Sequence, residues 1–190
     1  MIAGLGNPGP EYAETRHNAG FWFLDALAQR SHVAFRLQAR LYAQTARVTL
    51  FGKDCVLIRP TTFMNHSGQA IRAVTDYFQA SVANLLVAYD ELDLPAGVSR
   101  LKQGGGHGGH NGMRDIFRHM PNHDFLRVRI GIGHPGCKDG VTDYVLGRPP
   151  AGEEKLIREA IAAAIAVLPD VVCGQLPTAM KTLHTQENAG

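Results

Sequence analysis

Nothing in this chain looks like a membrane span or an export signal. No apolar run reaches 18 residues, and Met1-Ile2-Ala3-Gly4 has no basic segment ahead of an apolar one, so a soluble, non-exported protein is expected. Cysteine is scarce: Cys55, Cys137 and Cys173 are odd in number and show no CxxC spacing, which predicts free thiols and a cytoplasmic location. The four serines (31, 67, 81 and 99) sit in no G-x-S-x-G elbow. No H-E-x-x-H or Cys/His set completes four zinc ligands, and no Walker lysine precedes a Ser or Thr. Serine-nucleophile, zinc and P-loop chemistries therefore lack support. Repeats, linkers and low-complexity stretches are missing too, and 190 residues suit one domain over 1–190.

What the chain does have is glycine in one place. Gly104-Gly105-Gly106-His107-Gly108-Gly109-His110-Asn111-Gly112 holds six glycines in nine residues. Glycine lets backbone approach a ligand closely and turn its N–H groups toward a phosphate or oxyanion. A flexible linker is the plain alternative. Lys102 ahead of the run, the imidazoles and carboxamide inside it, and a short helix over Met113–His119 starting from an asparagine cap favour a strand-to-helix binding loop.

The remaining pattern alternates strands and helices, which predicts one α/β layered domain. Met1–Leu5 reads as a strand entering Gly4-Leu5-Gly6-Asn7-Pro8-Gly9. This matches a dinucleotide fingerprint in form only, because Pro8 and Pro10 stop the helix that should follow. His17 lies just ahead of a helix over Ala19–Gln29. Leu41–Leu50 and Cys55–Arg59 form a hairpin across residues 51–54. A polar loop, Thr61 to Gly68, enters a helix marked by Ile71, Val74 and Phe78; Asn65 or Ser67 there could be merely an N-cap, while Phe63 and Met64 offer an apolar wall if exposed. Leu85–Ala88 is a candidate buried strand delivering Asp90 at its C-terminal end, the place where open α/β sheets bind ligands. Glu91 and Asp93 read as ordinary loop acids. Val98–Leu101 is a further strand, Phe125–Ile132 alternates so that Arg127 and Arg129 share one side, and Gly152–Leu168 is a long helix.

Net charge is only +2, but residues 100–148 hold eight Lys/Arg against four Asp. A basic segment around the glycine loop suits an anionic ligand such as nucleic acid; a solvated basic face fits the charge equally well. An imidazole to take a proton, a carboxylate to orient it, amide donors and a glycine loop can together activate water against a carbonyl.

Gly4 to Gly9, Tyr12, Arg16-His17-Asn18-Ala19-Gly20, Pro60 to Asn65, Asp90-Glu91-Leu92-Asp93, Lys102 to Gly112, and Arg127 to Gly136 together resemble bacterial-type peptidyl-tRNA hydrolases along nearly the whole chain. That resemblance implies a monomeric, single-domain α/β protein with a twisted mixed β-sheet flanked by helices, which cleaves the ester between a peptide and the 3′-terminal ribose of tRNA, without metal or cofactor. It implies His17 as general base and Asp90 as its orienting partner, with Asn7, Asn65 and Asn111 positioning the peptide and stabilising the oxyanion. Lys102, His110 and Arg129 are implied as tRNA-phosphate contacts, with Arg127 and Lys138 as helpers; Tyr12, Phe63 and Met64 fall on the substrate side. A catalytically silent RNA-binding relative of the same fold is the alternative, but it has no use for His17 with Asp90. Members of the family carry several more residues ahead of Gly4, and a polar residue is common where Cys137 stands.

Overall fold

Two glycines decide how this molecule is layered. A Cβ on Gly4 would lie 2.1 Å from the Gly20 carbonyl oxygen, and one on Gly20 would lie 2.4 Å from that of Ala88. Without side chains there, helix α1 (Ala19–Arg30) rides directly on strand β1 (Ile2–Gly4). The computed structural model describes residues 1–137 and 139–185.

The chain continues through β2 (Arg36–Gln38), β3 (Ala43–Leu50), β4 (Lys53–Pro60), α2 (Ser67–Tyr77), β5 (Leu86–Glu91), β6 (Ser99–Gln103), α3 (Asn111–His119) and β7 (Leu126–Gly131). It ends in α4 (Val141–Leu146), α5 (Ala151–Ala166), α6 (Leu168–Val172) and α7 (Leu176–Thr185). All seven strands join one sheet in the order β2-β3-β4-β1-β5-β7-β6. β1 pairs in parallel with β4 and β5, and β5 with β7; β2–β3, β3–β4 and β6–β7 are antiparallel. The sheet is therefore mixed, as expected from the sequence.

Helices cover both faces. Trp22, Phe23, Leu24 and Leu27 of α1 bury against Ile157, Ile161 and Ile165 of α5 on one side. Ile71 and Val74 of α2 meet Met113 and Ile116 of α3 over Ile58, Val87 and Phe125 on the other. Each fully buried residue of this size contributes about 1.5–3 kcal/mol of burial. β5 is buried along its whole length, which is why its sequence is a continuous apolar run before Asp90. The N-termini of α1 and α3 lie at the end of the sheet where β1 and β5 finish.

Several boundaries differ from expectation. The hairpin turn is only Phe51-Gly52, both left-handed at φ 51° and 77°, so β4 begins at Lys53; paired positive φ values match the right-handed twist of a two-residue hairpin. The long C-terminal helix stops at Ala166 and a separate α6 follows, because Pro169 cannot continue an α-helical ladder. β2 is exposed at all three residues and so shows no alternation to read, α4 has only six residues, and α7 also went unread.

Candidate active site

Asp90 projects from the end of β5, with its side chain 1% exposed, and it is shared by two imidazoles. Its Oδ2 lies 2.8 Å from His17 Nδ1 and its Oδ1 lies 2.9 Å from His110 Nε2. Burial alone would raise the Asp90 pKa, but the facing imidazoles and their hydrogen bonds outweigh it and hold the carboxyl well below the usual carboxylate range. Burial disfavours the imidazolium of His17; the charge of Asp90 and its hydrogen bond overcome this and raise His17 above an ordinary histidine.

The two imidazoles are not equivalent. The amide of Met113 donates to His110 Nδ1 at 3.2 Å, so Nε2 carries the proton and donates to Asp90, and both nitrogens are engaged. His17 sits in the 3₁₀ turn Arg16–Asn18, and with Nδ1 on Asp90 its Nε2 has no protein partner among the described residues. Only His17 retains a nitrogen for a water molecule. His110, expected to touch phosphate, turns its ring toward Asp90 and is 8% exposed at its side chain.

Asn7 and Asn18 clasp each other. Asn18 Oδ1 accepts from the Asn7 amide at 2.7 Å, and Asn18 Nδ2 donates to the Asn7 carbonyl at 3.0 Å. The Asn7 side chain then accepts from the Met64 amide at 2.8 Å, which leaves its Nδ2 as the donor for a ligand. Asn18 escaped the sequence reading as a site residue, although it adjoins His17. Asn65 and Asn111 do not cap helices. α2 has no side-chain cap, and α3 is capped by His110, not by an asparagine. Both carboxamides are exposed and line the cleft.

That cleft has a volume of about 320 Å³ and is lined by Asn7, His17, Met64, Asn65, Asp90 and His110, among others. Phe63 is 53% exposed and forms an edge-on pair with Tyr12 at 6.0 Å, whereas Met64 is buried at 4% and presents only part of its side chain. Val141, Val145 and Leu146 of α4 supply the opposite apolar wall. Arg16 pins that wall beside His17: its guanidinium bonds the Tyr144 carbonyl at 3.2 Å and Glu153 at 2.9 Å, and it lies 4.1 Å from the Tyr144 ring centroid. A larger cavity, about 1110 Å³, opens at the other end of the sheet around Met1, Lys53 and Leu176. It gathers no comparable acid–base set. His17, Asp90 and His110 offer ligand atoms within 4.8 Å of one another, so they are the described residues best able to hold a metal ion, but those atoms already hydrogen bond to each other.

The expected basic stripe divides in two. Arg129 is 19% exposed at its side chain and pairs with Glu91 at 2.8 Å, so Glu91 is a buried strand-end acid and not an ordinary loop acid. Arg127, expected as a phosphate helper, is 1% exposed and bonds the Gly106 and Gly105 carbonyls at 2.6 Å each. Lys102 is exposed, with its side chain folded toward Gly105. Lys138 lies outside the described residues.

An imidazole held by a buried carboxylate, with its second nitrogen open to a cleft at strand ends, is suited to acid–base chemistry, and the mixed α/β sheet that carries it is the architecture of a hydrolase. The family can be stated more narrowly. The chain belongs to the peptidyl-tRNA hydrolases, whose family model matches residues 1–190. It is 49% identical over 185 residues to the peptidyl-tRNA hydrolase of Acidithiobacillus ferrooxidans, covering 97% of this chain and 98% of that protein. Identity to the Pseudomonas putida peptidyl-tRNA hydrolase is 48% over 188 residues, covering 98% and 97%. The crystal structure of the Acinetobacter baumannii enzyme superposes with a TM-score of 0.93 at 46% identity, over 96% of this chain and 92% of that one. No described helix is long and apolar enough to cross a membrane.

Proposed function

We propose that this protein, acting as a monomeric single domain over residues 1–190 in the cytoplasm, hydrolyses the ester joining a peptide to the 3′-terminal ribose of tRNA. The observation that carries the reading is the asymmetry at Asp90: His17 alone has a free ring nitrogen, and the carboxylate fixes its tautomer. His17 Nε2 takes a proton from water as the water oxygen attacks the ester carbonyl; the same proton then passes to the departing ribose oxygen as the C–O bond breaks, giving a free hydroxyl and a carboxylic acid that loses its remaining proton to solvent. Asp90 orients the ring and stabilises the transient imidazolium. Asn7 Nδ2, with Asn65 and Asn111 on the cleft wall, provides amide donors for the peptide and for the oxyanion. Tyr12, Phe63 and Met64 form the side on which the acyl chain lies, and Lys102 and Arg129 take phosphates.

The reading is tested by incubating the protein with an N-blocked aminoacyl-tRNA, with and without chelator. Release of the blocked amino acid in both arms is expected, and failure in both overturns the reading. Binding measured against salt then tests the phosphate contacts. Lys102→Ala should reduce the magnitude of the log–log slope by roughly 0.7 for a single-stranded 3′ end. Asn111→Ala should slow single-turnover hydrolysis and leave the slope alone; identical behaviour of the two variants contradicts this division.

A further inference from the structure

Arg127 is a buried cation with no carboxylate partner among the described residues. Its guanidinium lies 5.0 Å from the Phe117 ring centroid and 5.1 Å from that of Phe125, so two aromatic faces enclose it. Its terminal nitrogens reach the Gly106 and Gly105 carbonyls, and its Nε is buried without an acceptor. Among the described residues these are the only hydrogen bonds made by Gly105 and Gly106. Glycines lose more conformational freedom on ordering than other residues, and Gly104, Gly105, Gly108 and Gly109 all have positive φ. The second half of the loop is tied locally, the Gly109 and His110 amides donating to His107 and Arg114 donating to the Gly109 carbonyl, but the first half has only Arg127.

The loop is nevertheless the segment that delivers His110 to Asp90 and Asn111 to the cleft. His107, inside the loop, packs edge-on against the same Phe117 ring at 6.0 Å, which ties the loop to α3 at a second point. We propose that Arg127 is a positioning residue for hydrolysis: its planar fork clamps the glycine loop from beneath so that His110 and Asn111 are held against Asp90 and the substrate. The inference rests on the reaction proposed above. A guanidinium suits the task because it can donate to two adjacent carbonyls in one plane, which an ammonium cannot reproduce.

The test is Arg127→Lys, which keeps the charge and most of the length but loses the fork. Two readouts are taken together, with thermal melting as a check on folding. Amide hydrogen exchange at Gly109 and His110, whose N–H groups bond within the loop to His107, should become markedly faster in the variant than in the parent. The kcat should fall roughly 10- to 100-fold, the scale on which small misplacements of a site act, while KM and the salt slope of tRNA binding stay as in the parent. Unchanged exchange at Gly109 and His110 overturns the clamp whatever the turnover, because that readout needs no substrate. Faster exchange with unchanged kcat overturns the catalytic consequence. A raised KM with a flattened salt slope, as expected for Lys102→Ala, makes Arg127 a phosphate contact and rejects the inference. Failure of the proposed reaction is separately visible, since it appears in the parent protein.

Discussion

His17 and His110 meet at one carboxylate but arrive from regions built in opposite ways. His17 comes from the shoulder between β1 and α1, where Gly4 and Gly20 bring backbone against backbone and leave no space for a methyl group. His110 comes from a loop in which an added Cβ at Gly106, Gly108 or Gly109 would meet nothing within 4 Å. One region is fixed by contact, the other by hydrogen bonds to a few anchors. The nitrogen left open for chemistry is on the tightly packed side, where its position is best defined.

The strongest way to break this comparison is to remove each ring in turn. His17→Ala should lower kcat by roughly 10³-fold with tRNA affinity kept, as expected for loss of a general base. His110→Ala should cost about tenfold, since it removes a support for Asp90 and not the base. Single-turnover rates beside binding constants check both, and equal losses would erase the distinction.

Asp90→Asn comes next, with an expected fall of roughly 10²-fold, and its pH profile carries the sharper information. His17 must be neutral to accept a proton, so activity is lost as pH falls through its pKa. Asp90 raises that pKa above an ordinary histidine's, against the burial that lowers it. The acid limb of kcat/KM should therefore lie above about pH 6.5 in the parent and move to lower pH in Asp90→Asn. A limb that stays in place would assign the titration to another group.

The smallest effects are on stability. Gly20→Ala forces a methyl group to within 2.4 Å of backbone oxygen and should destabilise by about 3 kcal/mol, the upper end for overpacking. Gly109→Ala meets no atom but must adopt φ near +80°, so about 1–2 kcal/mol is expected. Denaturant midpoints measure the difference; equal costs would mean that the shoulder yields as readily as the loop.

How much of this was legible in the sequence follows from what each signal encodes. Asp90 could be found because an apolar run ends beside it, a boundary signal local in the chain. His17 stands just ahead of a helix, where a cap or surface group is the commoner reading, and only the family resemblance singled it out. The two hydrogen bonds of His110 could not be read from the chain, because they depend on how α3 sits against β5. Arg127 shows the same limit: alternation along β7 correctly put it on one face with Arg129, but alternation says nothing about what covers that face. Here the glycine loop folds back over Arg127 and leaves Arg129 at the margin beside Glu91. Asn65 and Asn111 each had capping as a plain alternative reading, and only the observed caps remove it.

The helix starts at the cleft have an electrostatic consequence. α1 and α3 both begin there and neither carries an acidic residue in its first turn, whereas α5 carries Glu153 and Glu154 in its own. α2 is a different case, because the Gly68 amide near its start already bonds Asp115. Each helix start carries roughly half a positive charge from its aligned peptide dipoles. Two such ends remain uncompensated by their own sequence, and the ionised Asp90 lies between the turns that precede them, bonded to His17 and His110. The buried carboxylate is thus offset in part by backbone dipoles that belong to the fold itself, and no lysine or arginine has to stand beside it.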